Sequence, residues 1–322
     1  MKTDEIKGHG AMLGAETMWG LSAPVGKAVL ASGIAPLLLT EFRMLGAAAL
    51  FWLVSIFTKK EEVSHRDLLS MFFASLLGIM FNQGMFIFGL SLTSPVNASV
   101  ITTSSPIITM VIAALFLGEP VTRLKAGGVF VGAIGAFILI AGGSGAASAG
   151  QPSSVWGDLL CLGAQVSFAC YLVFYKRLTA KYSPVTLMKW MFTYASICVI
   201  PFSYNEMAAA DWGAISRETI AGIAMVVVGA TFVSYILLPV GQRYLRPTIT
   251  SMYNYVQPVI ASVVAVCWGL DGFNLMKGAA IILVFAGVFM VTKSKSRAQL
   301  EAERGEERGR EGRERECVNK VG

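Results

Sequence analysis

Ten apolar stretches, each about long enough to cross a bilayer, take up nearly the whole chain: about 11–31, 36–57, 68–91, 95–117, 124–142, 155–177, 184–205, 218–240, 247–269 and 273–292. Roughly 20 apolar residues span the hydrocarbon core as a helix. Too little chain is left over to fold as a soluble domain. The expected fold is therefore an all-α membrane protein of ten transmembrane helices. The composition agrees, with 14% charged residues and a mean hydropathy of +0.63, against about 25% charged in soluble domains. The first stretch exceeds the usual apolar core of a cleaved signal peptide, and nine more follow, so it is read as a retained helix.

Lys and Arg favour cytoplasmic loops. Of the 26 in the chain, 21 fall on one side: Lys2, Lys7, Lys59, Lys60, Arg66, Arg123, Lys125, Lys176, Arg177, Lys181, Arg243, Arg246 and nine from Lys293 to Lys320. Both termini are expected in the cytoplasm, with the chain in the cell inner (plasma) membrane. This topology accounts for the net charge of +6 without a nucleic-acid partner.

The chain is written twice. LGAETMWGLSAPVGK (13–27) aligns without gaps on LGAQVSFACYLVFYK (162–176) at an offset of 149, placing Glu16 on Gln165 and Trp19 on Phe168. Pro36 matches Pro184, and Arg43 has Met191 as its mate. TSPVNASVITTSSP (93–106) matches LRPTITSMYNYVQP (245–258) at 152; Glu119 then falls on Asp271, Lys125 on Lys277 and Gly135 on Gly287. The expected domains are an N-terminus (1–10), a first repeat (11–142), a linker (143–154), a second repeat (155–292) and a charged tail (293–322). Five helices is an odd number, so the second repeat must enter the membrane from the opposite side. Inverted repeats of this kind are common among secondary transporters.

Pro106 and Pro258 lie inside spans four and nine. An interior proline frees a backbone carbonyl, which in lipid must find a neighbouring helix, a hydroxyl or water. Ser and Thr precede Pro106, and Asn254 and Gln257 precede Pro258, so these weakened helices are candidate cavity walls.

Trp19-Gly20 followed by Lys27, Phe42-Arg43, and GLSLTSPVNASVITTSSPIITMVIAALFLGEPVTRLKAGGVFVGAIGAFILI (89–140) resemble the EamA-type branch of the drug/metabolite transporter superfamily. RYLRPTITSMYNYVQPVIASVVAVCWGLD (243–271) resembles the same template. The second half departs from it in reading GLDGFN where the first reads LGEPVT. The resemblance covers about residues 11–292 and implies export or exchange of amino acids and other small metabolites.

Ionisable groups within the membrane cost roughly 2.5–3.5 kcal/mol each at a helix centre and read as functional. Glu16 lies about five residues, or roughly 8 Å, into the first span. Lys189 lies equally deep in the seventh, which makes the two a possible pair or the coupling groups of a proton- or cation-linked carrier. Arg43 is a fixed cation for a carboxylate or other anion. With it, Trp19, Asn82, Thr102, Trp190, Tyr235, Tyr253 and Gln257 are the candidate substrate-binding residues, in a midplane band that also holds Gln83, Phe86, Tyr194 and Asn254. Trp19, Arg43, Asn82 and Gln257 are expected to line one cavity. Gly128, Gly132 and Ala136 form a small-residue face for close packing, within the molecule rather than at a dimer seam.

Five scattered cysteines and two histidines offer neither zinc spacing nor a redox pair,. With no catalytic, metal or cofactor motif, the expectation is not an enzyme. It is a transporter working by alternating access, as a monomer or homodimer, on a small-molecule substrate in a lipid bilayer. The alternatives are a channel-like facilitator or a carrier of sugars or nucleotide precursors, and less so an intramembrane enzyme.

Overall fold

A computed structural model describes residues 3–93, 95–143, 154–210, 215–267, 275–295, 299 and 301. Most of the linker, Asp271 and nearly all of the charged tail lie outside the described residues. Every regular element among them is helical. The first half runs α1 (Thr3–Ala31), α2 (Pro36–Ile56), α3 (His65–Ser75), α4 (Asn82–Leu92), α5 (Pro95–Thr102), α6 (Ser105–Leu117) and α7 (Arg123–Gly143). The second runs α8 (Val155–Phe174), α9 (Lys176–Lys181), α10 (Pro184–Ala209), α11 (Arg217–Met225), α12 (Ser234–Tyr244), α13 (Pro247–Met252), α14 (Val256–Cys267) and α15 (Leu275–Lys293).

Local chemistry sets the ends. Pro36, Pro184 and Pro247 sit at first helical positions, where the missing N–H costs nothing. Ser64 and Ser216 cap α3 and α11 by accepting from the N–H groups of Asp67 and Thr219,. Gly118 ends α6 at φ 62°, a left-handed geometry that glycine adopts without a Cβ penalty.

Both halves break their regular helices at matching places. A π-helical segment, Leu76–Phe81, joins α3 to α4, and another, Val226–Val233, joins α11 to α12. A turn at 103–104 separates α5 from α6, and a 3-10 turn, Tyr253–Tyr255, separates α13 from α14. Pro106 therefore sits in the first turn of α6 instead of the interior of one long helix. The carbonyl of Thr103 at that turn does find a hydroxyl: Tyr255 Oη lies 3.1 Å from it and 3.3 Å from the carbonyl of Val129.

The halves pack by exchanging partners. In the first, α4 and α6 lie against α8; in the second, α12 and α14 lie against α1. The pairs α2–α10 and α7–α15 each join repeat-equivalent helices. A Cβ on Gly128 would stand 2.8 Å from the carbonyl of Gly287, and one on Gly135 would stand 2.7 Å from that of Ala280. Gly128 and Gly135 thus pack against α15, while a Cβ on Gly132 would stand 2.7 Å from the Tyr255 ring, all within the molecule. Two contacts join residues 152 apart, the repeat offset: Gln83 Nε2 donates to Tyr235 Oη at 2.8 Å, and Tyr255 meets Thr103. Equivalent residues can touch only where the two halves meet.

Among the described residues, eight helical stretches are long and apolar enough to cross a membrane, against ten expected. The other two expected spans are α1 and the stretch from Pro247 to Cys267. Glu16 and the polar side chains of Thr248, Thr250, Ser251, Asn254 and Gln257 lower their apolarity. These two segments pack on each other, so protein covers much of their polar surface.

Candidate functional site

The π-helical segment Val226–Val233 organises a buried polar cluster. A π turn leaves carbonyls without their usual partners. That of Ala230 accepts from Trp19 Nε1 at 2.7 Å. Thr231, fully buried, donates to the carbonyl of Val226 and accepts from Arg43 Nε at 3.0 Å. One turn on, Tyr235 packs edge-on against Trp19 and against Phe192, with ring centroids at 5.7 and 4.9 Å. Its hydroxyl takes the Gln83 amide. Trp19, Arg43 and Tyr235, three of the expected residues, are thus brought together from α1, α2 and α12.

Glu16 sits one helical turn before Trp19 on the same face of α1 and is fully buried. Its Oε2 accepts from Gln257 Nε2 at 2.6 Å. Glu16 Oε1 and Gln83 Oε1 are buried and make no hydrogen bond among the described residues. The site therefore offers one charge-bearing acceptor and one amide acceptor flanking an aromatic wall, with a guanidinium held at its edge.

Lys189 is not the partner of Glu16. Its ammonium lies over the Trp52 ring at 4.6 Å and near Trp190 at 5.9 Å. Trp190 likewise packs on Trp52 and Tyr194. Thr102 donates to the carbonyl of Ala98 in its own helix, and Tyr253 Oη lies 2.6 Å from His9 Nδ1. Asn82 donates to the carbonyl of Ala164 on α8, at 3.0 Å. Asn82 therefore ties α4 to α8.

Thr231 and Phe192 carry no sequence signal of membership: one is a hydroxyl in an apolar run, the other one phenylalanine among 19. Gln83 was legible as a polar residue in an apolar span. Outside the membrane-spanning segments, burial opposes the charge of Glu61, but hydrogen bonds from Thr186 and Ser183 and the field of Arg243 hold its carboxyl below its ordinary range. Among the described residues, no cluster of His, Cys, Asp and Glu has the makings of a metal site.

A multi-pass integral membrane protein with a polar cluster between two repeated halves is the general form of a small-solute transporter. The sequence model of the EamA-like transporter family matches residues 6–141 and again 155–293. The chain belongs to this family of membrane transporters. Similar proteins include the uncharacterized transporter YyaM of Bacillus subtilis, 24% identical over 79% of this chain and 85% of that one. The Arabidopsis thaliana protein WALLS ARE THIN 1 is 32% identical over 44% of this chain and 37% of its own. A solved crystal structure, 16% identical, superposes with a TM-score of 0.74 over 91% of this chain and 97% of that one, which speaks to fold alone.

Proposed function

We propose that the protein is an alternating-access carrier that exports or exchanges small metabolites, amino acids or related compounds, across the cell inner (plasma) membrane. In this reading ten transmembrane helices form two inverted five-helix repeats, 11–142 and 155–292, with both termini in the cytoplasm. It acts as a monomer or homodimer and performs no catalysis. The observation that carries the reading is the polar cluster where repeat-equivalent Gln83 and Tyr235 touch. A site at the seam of two halves can be opened to either side by rocking one half against the other.

Within that site, Arg43 holds an anionic group of the substrate, while Trp19 and Tyr235 form a flat apolar wall. Glu16 and Gln83 supply free acceptors for a donor such as an amine. Glu16 is the coupling group, through its own carboxylate and without Lys189. Counterflow in proteoliposomes against a panel of amino acids, sugars and purines tests the reading. Saturable exchange of one class supports it, and its absence across the panel overturns it. Uphill accumulation separates a carrier from a channel-like facilitator.

A further inference from the structure

A second charged site lies away from the midline. The C-terminal end of α2, the non-helical segment that follows it and the first turns of α10 in the other half form a cleft of about 520 Å³ lined by Trp52, Lys59, Lys60, Glu61, Thr186 and Lys189, among others. Three lysines face one carboxylate, for a net local charge of +2. That carboxylate is already engaged: Glu61 accepts from the N–H and Oγ of Ser183 at the start of α10, the latter at 2.7 Å. Among the described residues, no carboxylate oxygen lies within 4.0 Å of the Nζ of Lys59, Lys60 or Lys189. Lys189 leans on Trp52 instead, and the Trp52 indole donates to Thr193 Oγ1 at 3.0 Å, so the aromatic floor is fixed.

We infer that this cleft binds the phosphate-bearing headgroup of an anionic phospholipid, with the acyl chains lying along the outer face of α2. The anion follows from three lysines without acid partners. The lipid source follows from continuity with a lipid-facing surface. Ile56 and Phe57, which adjoin the cleft, are 73% and 83% exposed, an apolar wall that a soluble anion would not use. Tryptophan beside lysine at a helix end suits the headgroup level of a bilayer, and basic pockets between helices on the cytoplasmic side take anionic headgroups. The cleft joins α2 of one half to α10 of the other, so an occupant bridges the two parts that the proposed carrier must move. That the leaflet is the cytoplasmic one rests on the membrane orientation proposed above; headgroup binding does not.

The test uses the full chain in phosphatidylcholine nanodiscs carrying spin-labelled phosphatidylglycerol or spin-labelled phosphatidylcholine, with the protein-immobilised fraction of each measured. The parent is expected to immobilise phosphatidylglycerol preferentially. Each lysine near the surface contributes about fivefold to such a preference. Lys60→Gln should therefore lower it about fivefold, and Lys59→Gln/Lys60→Gln/Lys189→Gln should abolish it. Lys293→Gln, on α15, should leave it intact. Lys60 is exposed, so its single variant decides the matter should the triple variant fail to fold. An unchanged preference in Lys60→Gln overturns the site. Displacement of the labelled lipid by inorganic phosphate, beyond that by sodium chloride at equal ionic strength, overturns the lipid in favour of a soluble anion. Both leaflets of a nanodisc are alike, so the outcome does not depend on orientation. Orientation is read separately: Lys60→Cys in intact cells should resist labelling from outside.

Discussion

The segment linking α3 to α4 and the segment linking α11 to α12 share a backbone and differ in cargo. Both are π-helical, both follow a serine-capped helix, and both reach across to the first helix of the other half. Their flanking ties match in pairs: Asn82 donates to the carbonyl of Ala164, and its mate Ser234 donates to that of Ala15, the mate of Ala164. At the polar positions the match ends. Arg43 meets Thr231, whereas their mates, Met191 and Ile79, are fully buried apolar side chains. Trp19 and Glu16 correspond to Phe168 and Gln165. Duplication thus set a common scaffold, and one half of it was loaded with charge. Symmetric residues hold the helices; asymmetric ones are the better candidates for chemistry.

The comparison breaks most visibly by moving the cation. Met191→Arg places an unpaired charge where the first half has a built partner and the second has none. Uncompensated buried charge costs about 3–5 kcal/mol, so most folded protein should be lost, as read by size-exclusion of a fluorescent fusion. The reverse change, Arg43→Met, should keep the fold but lower exchange of anion-bearing substrates roughly 10- to 150-fold, the worth of a hydrogen bond to a charged group. Counterflow per folded molecule checks this. Equal tolerance of both changes would show that the asymmetry at this position carries no function.

Converting Glu16 to the residue of its mate is a milder step. Glu16→Gln keeps an acceptor for Gln257 and removes only the charge. If Glu16 couples transport to an ion gradient, gradient-driven accumulation disappears while counterflow survives. Loss of both assigns Glu16 to substrate binding, and loss of neither removes it from the mechanism. Since Lys189 lies on Trp52, Lys189→Met should not rescue or worsen Glu16→Gln.

The smallest effects are expected from the matched ties. Asn82→Ala and Ser234→Ala should each cost about 1 kcal/mol and lower the thermal midpoint by similar small amounts, with exchange per folded molecule unchanged. Exchange lost in Asn82→Ala at unchanged stability would return Asn82 to the substrate site.

Much of the fold is written in the chain because lipid imposes its demand on each helix separately. A span must be apolar along its own length, whatever it packs against, so Pro36–Ile56 or Leu275–Lys293 can be read alone. The duplication, the family and the close-packing glycines of α7 were legible for the same reason: each is a pattern along the chain. The π-helical segments were not, because LLGIMF and VVVGATFV read as ordinary apolar helix, and the irregularity is sustained by carbonyl partners such as Trp19 that only packing supplies. That Glu16 and Lys189 interrupt apolar spans was legible, but the direction of their side chains was not. Which face of a helix meets which neighbour depends on side chains far away in sequence. Gln257, 241 residues from Glu16, and Trp52, against Lys189, became partners only when the helices were assembled.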